Sequence, residues 1–344
     1  MAMNLRLLFV FVIACSVAKA QDPQFSQFYQ APLYLNPGFT GITQQQRFAL
    51  NHRLQWPNLP QTFATYSASY DIFVDELRSG FGFMATTDRM GSAGWRTTTA
   101  GVLYSYKVKL NEKIVFSPGL YFGYGINGLD RTKLSLGDGL EFDGQTLDPD
   151  VSRIGNQQYF DFGSGFLLYS RILWLGASFY HMNTPNLSIL NSVSRLPMKS
   201  TIHGGARINL RGSNIRSSNA RFSYLTPSFI FRHQGPITQM DVGVNYHVDP
   251  VSVGIWYRGK PWDENFIGTI NQDALIFTMG LYLKSLAIGY SYDFNISELS
   301  AASGGAHEIS LVYEFVAKPI SRQVKKKNRL IPCPTFNSKA SFWN

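Results

Sequence analysis

Two cysteines in 344 residues leave little room for covalent cross-links, and charged residues make up only 15% of the chain. Cys15 falls in the leader, so a processed chain keeps Cys333 alone and cannot form an internal disulfide. Charge at this level is well below the roughly 25% of soluble globular domains, which need it on their surfaces. Long hydrophobic runs are missing too: no segment reaches the roughly 20 apolar residues of a spanning helix. These absences exclude a disulfide scaffold and a helical membrane protein. Aromatics, at 15%, and 30 glycines are what the chain has instead. Many aromatics and few charges without a long apolar run fit a barrel in which only alternate residues meet lipid.

The first twenty residues read as a secretory signal. Arg6 supplies the positive end, Leu7 to Ala14 a short apolar core, and Ala18-Lys19-Ala20 a small-x-small cleavage site. The alternative, a lipoprotein signal at Val12-Ile13-Ala14-Cys15, fits less well because Val12 stands where leucine is usual. Loss of Arg6 and Lys19 lowers the formal charge from +9 to +7.

Alternation organises the rest. Ile114, Phe116, Pro118, Leu120, Phe122, Tyr124 and Ile126 are bulky, whereas Ser117, Gly119, Gly123, Gly125 and Asn127 between them are small or polar. Met240 to Val248, Val251 to Arg258, Leu286 to Phe294 and Glu308 to Phe315 repeat the two-sided pattern. Aromatics such as Tyr104, Tyr106, Tyr124, Tyr257, Tyr292 and Phe315 gather near the ends of the apolar faces, as membrane girdles require. About 14 segments are expected, starting near Arg47, Thr62, Ser79, Trp95, Lys113, Gln158, Leu173, Lys199, Arg221, Thr238, Val251, Ala274, Leu286 and His307. Short turns at Asp75 to Ser79, Asn111-Glu112, Arg171-Ile172, Asp249-Pro250 and Lys284-Ser285 should alternate with longer connections at 129–157, 183–198, 259–273 and 295–305. The fold class is thus all-β: a transmembrane, up-and-down antiparallel barrel over residues 47–316, with both chain ends in the periplasm and no repeat of propeller or solenoid length.

Chemistry is sparse. Asp138, Glu141, Asp143, Asp148 and Asp150 could offer oxygens to calcium, but the spacing fits no EF-hand and a solvated acidic loop is the plainer reading. Asp241, His247, Trp256 and Arg258 should point inward; polar lumen residues are the ordinary filling of such barrels, and no catalytic role, cofactor or metal is expected. Gly119 to Gly128 alternates as a strand throughout and is not a phosphate loop.

The two tails carry more. Residues 21–46 combine Pro23, Pro32 and Pro37, which discourage a ladder, with Phe25, Phe28, Tyr29, Tyr34 and Phe39. The segment should dock against the barrel, inside the lumen or beneath it, with an unstructured leader as the alternative. Phe25, Tyr29, Tyr34 and Asn36 are its candidate partner-binding residues. Residues 317–344 hold seven lysines or arginines and no acid. Lys325, Lys326, Lys327 and Arg329 could attract an acidic protein or lipid head groups, and Phe342 and Trp343 could add apolar anchors; a mobile solvated tail is the alternative. Nucleic acid is not an expected partner.

Gln21-Asp22-Pro23-Gln24-Phe25-Ser26-Gln27, Pro32-Leu33-Tyr34-Leu35-Asn36-Pro37, Gln55-Trp56 and Gly305-Ala306-His307-Glu308-Ile309-Ser310-Leu311 resemble the PorP/SprF family. That resemblance implies an outer-membrane component of the type IX secretion system in a Gram-negative bacterium. It further implies binding, export or anchoring of surface proteins with type B C-terminal domains, including the adhesins of gliding motility. A passive or solute-specific pore is the other function considered. The basic tail is less typical of the family and raises the question of contact with periplasmic secretion or motility components.

Overall fold

The computed structural model describes residues 22–43, 45–59, 62–91, 94–129, 155–189, 193–210, 223–264, 270–296, 303–315, 331, 333 and 334. Residues 1–20, read above as a secretory signal, the acidic residues between 138 and 150, Lys325, Lys326, Lys327, Arg329, Phe342 and Trp343 lie outside the described residues.

Among the described residues sixteen strands form one antiparallel sheet. They are β1 (Gln46–Gln55), β2 (Phe63–Val74), β3 (Ser79–Met90), β4 (Trp95–Tyr106), β5 (Val108–Lys109), β6 (Val115–Leu129), β7 (Gln157–Tyr169) and β8 (Leu173–Tyr180). Then follow β9 (Lys199–Ala206), β10 (Ile208–Asn209), β11 (Ser223–Gln234), β12 (Ile237–Val248), β13 (Val251–Glu264), β14 (Ile270–Tyr282), β15 (Leu286–Asn295) and β16 (Ala306–Phe315). β5 and β10 are stubs that continue β4 and β9 past one irregular residue, since β4 and β5 both pair with β6 while β9 and β10 both pair with β11. The wall therefore has fourteen staves, each beside its sequence neighbours. β1 pairs with β16 from Gln46 opposite Phe315 to Gln55 opposite Ala306, so the sheet closes on itself and exposes no long edge.

Most strand starts fall within two residues of those expected. β14 is the exception: it begins at Ile270 instead of Ala274, and β13 runs on to Glu264. The connection expected at 259–273 shrinks to 265–269 because Arg258 pairs with Ala274 and Gly259 with Gln272, leaving Asp273 as an extra residue. A bulge of this kind re-phases the alternation, so a period-two pattern stops being readable at that point.

Burial follows the pleat. Along β6, Leu120, Phe122, Tyr124 and Ile126 are exposed outward while Ser117, Tyr121, Gly123, Gly125 and Asn127 turn in. The outer face carries Val102, Phe160, Phe162, Val253, Ile255, Phe277, Met279 and Ile309, a nearly uninterrupted apolar surface of the kind acyl chains cover. The inner face carries Arg47, Asn51, Arg53, Asp71, Lys107, His203, Arg232, Asp241, Arg258, Asp293 and Glu308, all buried. A charged group on the outward face at mid-strand must lose its hydration to the lipid. Phe122→Arg should therefore destabilise the barrel in lipid vesicles by about 2–4 kcal/mol, read from its urea unfolding midpoint.

Candidate functional site

The lumen is filled by the chain's own N-terminal segment. Residues 22–43 form no strand; a turn of α-helix at Pro32–Leu35 sits between two 3-10 turns, Phe28–Gln30 and Pro37–Phe39. Proline begins the second and third of these turns, where its missing N–H costs nothing and its fixed φ suits a helical start. Asn36 then caps Pro37–Phe39 by accepting from the Gly38 N–H at 2.8 Å.

Polar contacts tie this plug to staves all around the wall. The Glu308 carboxylate accepts from the backbone N–H groups of Ser26 (2.7 Å) and Gln27 (2.9 Å). Ser26 Oγ donates to Asp293 and accepts from Arg53 and Arg258. Arg53 also pairs with Asp293 and Glu308, and Arg258 bridges Asp293 to Asp241, which Arg232 reaches from the other side. Buried charges left single would be costly; here each is paired and hydrogen-bonded. Across the lumen, Asn36 Nδ2 lies within 3.0 Å of Phe166 O, Ala177 O and His203 Nε2. Tyr180 and Ser178 hydroxyls donate to Leu33 O and Leu35 O. Lys107 Nζ donates to Gly38 O, Thr40 O and the hydroxyls of Ser105 and Ser117.

The plug runs the length of the lumen. Gly41 N donates to Asp71, and Thr40 sits beside Lys107, at the rim of short turns where β1 begins and β16 ends. Asp22, at the other end of the segment, meets His181 and Gln234, which mark the ends of β8 and β11 at the rim of longer connections. There Asp22 accepts from His181 Nε2 at 2.7 Å and Lys199 Nζ at 3.3 Å, and Asp161 meets His181 Nδ1 at 2.9 Å. Burial opposes the charge on Asp22, but the cations of His181 and Lys199 outweigh it and hold the carboxyl well below its usual range. Burial likewise opposes the charge on His181, yet Asp22 and Asp161 push it up to about 9. Its backbone is left-handed at φ 57°.

Close backbone approach explains two glycines. A Cβ at Gly119 would collide with the backbone of Pro37 and Gly38, and one at Gly80 with the carbonyl of Thr40. Only a bare backbone lets the plug lie flat on the wall at these points.

Above the plug, toward the rim of longer connections, the described residues enclose a vestibule. One cavity of about 710 Å³ is lined by Arg53, Trp56, Arg258, Asp293 and Gln239 over a floor of Asp22, Pro23 and Gln24. A second, about 360 Å³, shares Asp22, Pro23, Asp88 and Met90 with it and is walled by Trp95, Tyr121, Tyr159 and Tyr180. At the opposite mouth, Ile331 and Cys333 belong to the same buried cluster as Phe39, Ile42, Phe73 and Tyr169.

Of the residues singled out in the sequence, Phe25 and Asn36 are buried and Tyr29 and Tyr34 half-buried, and all four face the barrel interior. Phe25 packs edge-on against Tyr34, and the Tyr34 hydroxyl donates to Pro23 O at 2.6 Å. Lys325, Lys326, Lys327, Arg329, Phe342 and Trp343 lie outside the described residues. Asp241 and His247 do point inward but do not meet: six residues along one strand separate them by about 20 Å. Asp241 is taken up by two arginines, and His247 stacks on Tyr224 and packs against Tyr282. Arg53, Lys107 and His181 are key contacts that sequence reasoning missed. For Arg53 and Lys107 the signal was available, since Arg53 carries charge on the inward parity of β1 and Lys107, just past β4, continues the inward parity of Leu103 and Ser105.

Two outcomes follow from the plug's contacts. Gly119→Val should displace Pro37–Phe39 and make the segment before β1 cleavable by protease in the folded barrel, whereas Gly155→Ala, in open space, should not. His181 is raised in the folded state, so its contact with Asp22 is fully stabilising below about pH 6.5 and fades as pH rises through about 9. A nitroxide at Gln24 should gain mobility over that upper range, and His181→Gln should abolish the pH dependence.

No curated protein sequence matches the chain. Among solved structures, the P. putida toluene transporter TodX is 10% identical at a TM-score of 0.47, with 83% of this chain and 94% of that one aligned. Acinetobacter baumannii Omp33 is 7% identical at 0.43, over 79% of this chain and all of that one. Both superpose only loosely. A family model is far more specific: type IX secretion system membrane protein PorP/SprF matches residues 17–313. With that match spanning the plug and nearly the whole wall, this outer-membrane β-barrel belongs to the PorP/SprF family of the type IX secretion system.

Proposed function

We propose that this barrel serves type IX secretion by binding exported surface proteins, helping their export or holding them at the cell surface, and that it conducts no solute in its resting form. The observation that carries the reading is the plug: a lumen crossed by hydrogen bonds and ion pairs to residues 22–41 is poorly suited to open diffusion. The rim of short turns faces the periplasm in this reading, and the rim of longer connections, with its vestibule, faces outward. Surface adhesins with type B C-terminal domains, including those of gliding motility, are the substrates the family suggests. The basic stretch after β16 would then contact acidic periplasmic components. A passive pore loses its main requirement while the plug is seated.

Affinity purification from detergent-solubilised outer membranes should return one or a few large exported proteins with the barrel, and a deletion strain should lose their surface display. In planar bilayers the intact protein should stay closed, and a variant lacking residues 22–43 should conduct. Open channels from the intact protein, with no co-purifying partner, would favour the pore.

A further inference from the structure

The vestibule is built to do more than hold water. Its charges are almost all spoken for: Asp22 by His181 and Lys199, Asp161 by His181, Asp293 by Arg53 and Arg258. Asp88 differs. It is 6% exposed, lines both cavities, accepts from the Thr65 hydroxyl at 2.6 Å, and makes no ion pair among the described residues. A buried carboxylate without a cation calls for one from outside. The wall it faces includes Trp95, Tyr121 and Tyr159, whose ring faces favour a cation close by.

The larger cavity adds a second requirement. Among the described residues Arg53 Nε and Asp293 Oδ1, on residues that line it, have no hydrogen-bond partner, and neither has Gln239 Oε1. Arg53 and Asp293 are also more than nine-tenths buried. One missing acceptor beside missing donors is what a peptide group supplies, its carbonyl to a guanidinium N–H and its N–H to a carboxylate oxygen. The plug shows half of this pattern at Glu308, whose buried carboxylate receives the backbone N–H groups of Ser26 and Gln27, while the Ser26 hydroxyl meets Arg53 and Asp293.

We propose that the vestibule is a binding site for an extended peptide segment carrying a lysine or arginine, the basic side chain pairing with Asp88 between the aromatic rings while the main chain engages Arg53 and Asp293. The inference rests on the proposed role in handling exported proteins and assigns the place and chemistry of that contact.

The test uses the purified full-length mature barrel in detergent and two blocked heptapeptides, Gly-Ser-Gly-Arg-Gly-Ser-Gly and the same sequence with glutamine for arginine, followed by equilibrium dialysis. The arginine peptide should bind saturably and at least about tenfold more tightly than the glutamine peptide. Asp88→Asn should erase the difference and Asp88→Glu should keep it. Both variants are checked for the folded barrel by heat-modifiable gel mobility; should Asp88→Asn not fold, an otherwise identical glutamate peptide, expected to bind most weakly, decides the charge requirement on the unaltered protein. Equal binding of the peptides, or no saturable binding at millimolar concentration, overturns the proposal. An exported protein that co-purifies with a barrel indifferent to these peptides removes this site and leaves the secretory role standing. Selective peptide binding with no co-purifying partner does the reverse.

Discussion

The pairing of β1 with β16 is the constraint on which the other contacts depend. It sets Arg53 directly opposite Glu308, residues 255 apart in sequence, and makes a tube of what would otherwise be an open sheet. Closing the tube removes the strand edges and also creates an interior in which charges lose water. Most inward-facing charges then find a partner on a neighbouring or nearby stave. Arg232, Asp241, Arg258, Asp293, Arg53 and Glu308 form a connected row of this kind along β11 to β16 and β1.

The plug completes that row. Its backbone supplies two N–H donors to Glu308, and its Ser26 hydroxyl sits between two arginines and an aspartate. A barrel emptied of the plug would leave Glu308 with one arginine and Lys107 without its two backbone acceptors. Wall and plug are therefore a single electrostatic unit. This explains why a segment with no secondary structure longer than one helical turn is held so firmly, with Phe25, Phe28, Leu33, Leu35 and Phe39 adding apolar contact between the polar ties. The tying stops at Asp22 and Pro23, where the vestibule begins.

Much of this was legible in the chain before folding. Alternation along β6, β12, β15 and β16 marked both faces correctly, and the prolines among the aromatics before Arg47 marked a segment that packs without pairing. The family resemblance at Gln21 to Gln27 and Pro32 to Pro37 falls on the plug itself, which the family model includes. Less legible was the extent of β13 and β14, because the extra Asp273 breaks the period. His181 could not have been singled out, since it follows β8 in a connection and acquires its role only from Asp22 and Asp161, residues brought to it by different turns of the chain.

A strand's two faces are a local property: side chains two apart share a side, so the order of residues by itself determined an all-β barrel, its fourteen staves and the sign of each surface. Which inward charges meet is a property of closure and stagger, which no local pattern records. Only the folded tube decided that Arg53 would answer Glu308, that the first residues of the plug would climb to His181, and that Asp88 would be left facing the vestibule, because those distances depend on how far each strand is shifted against the next around the whole ring.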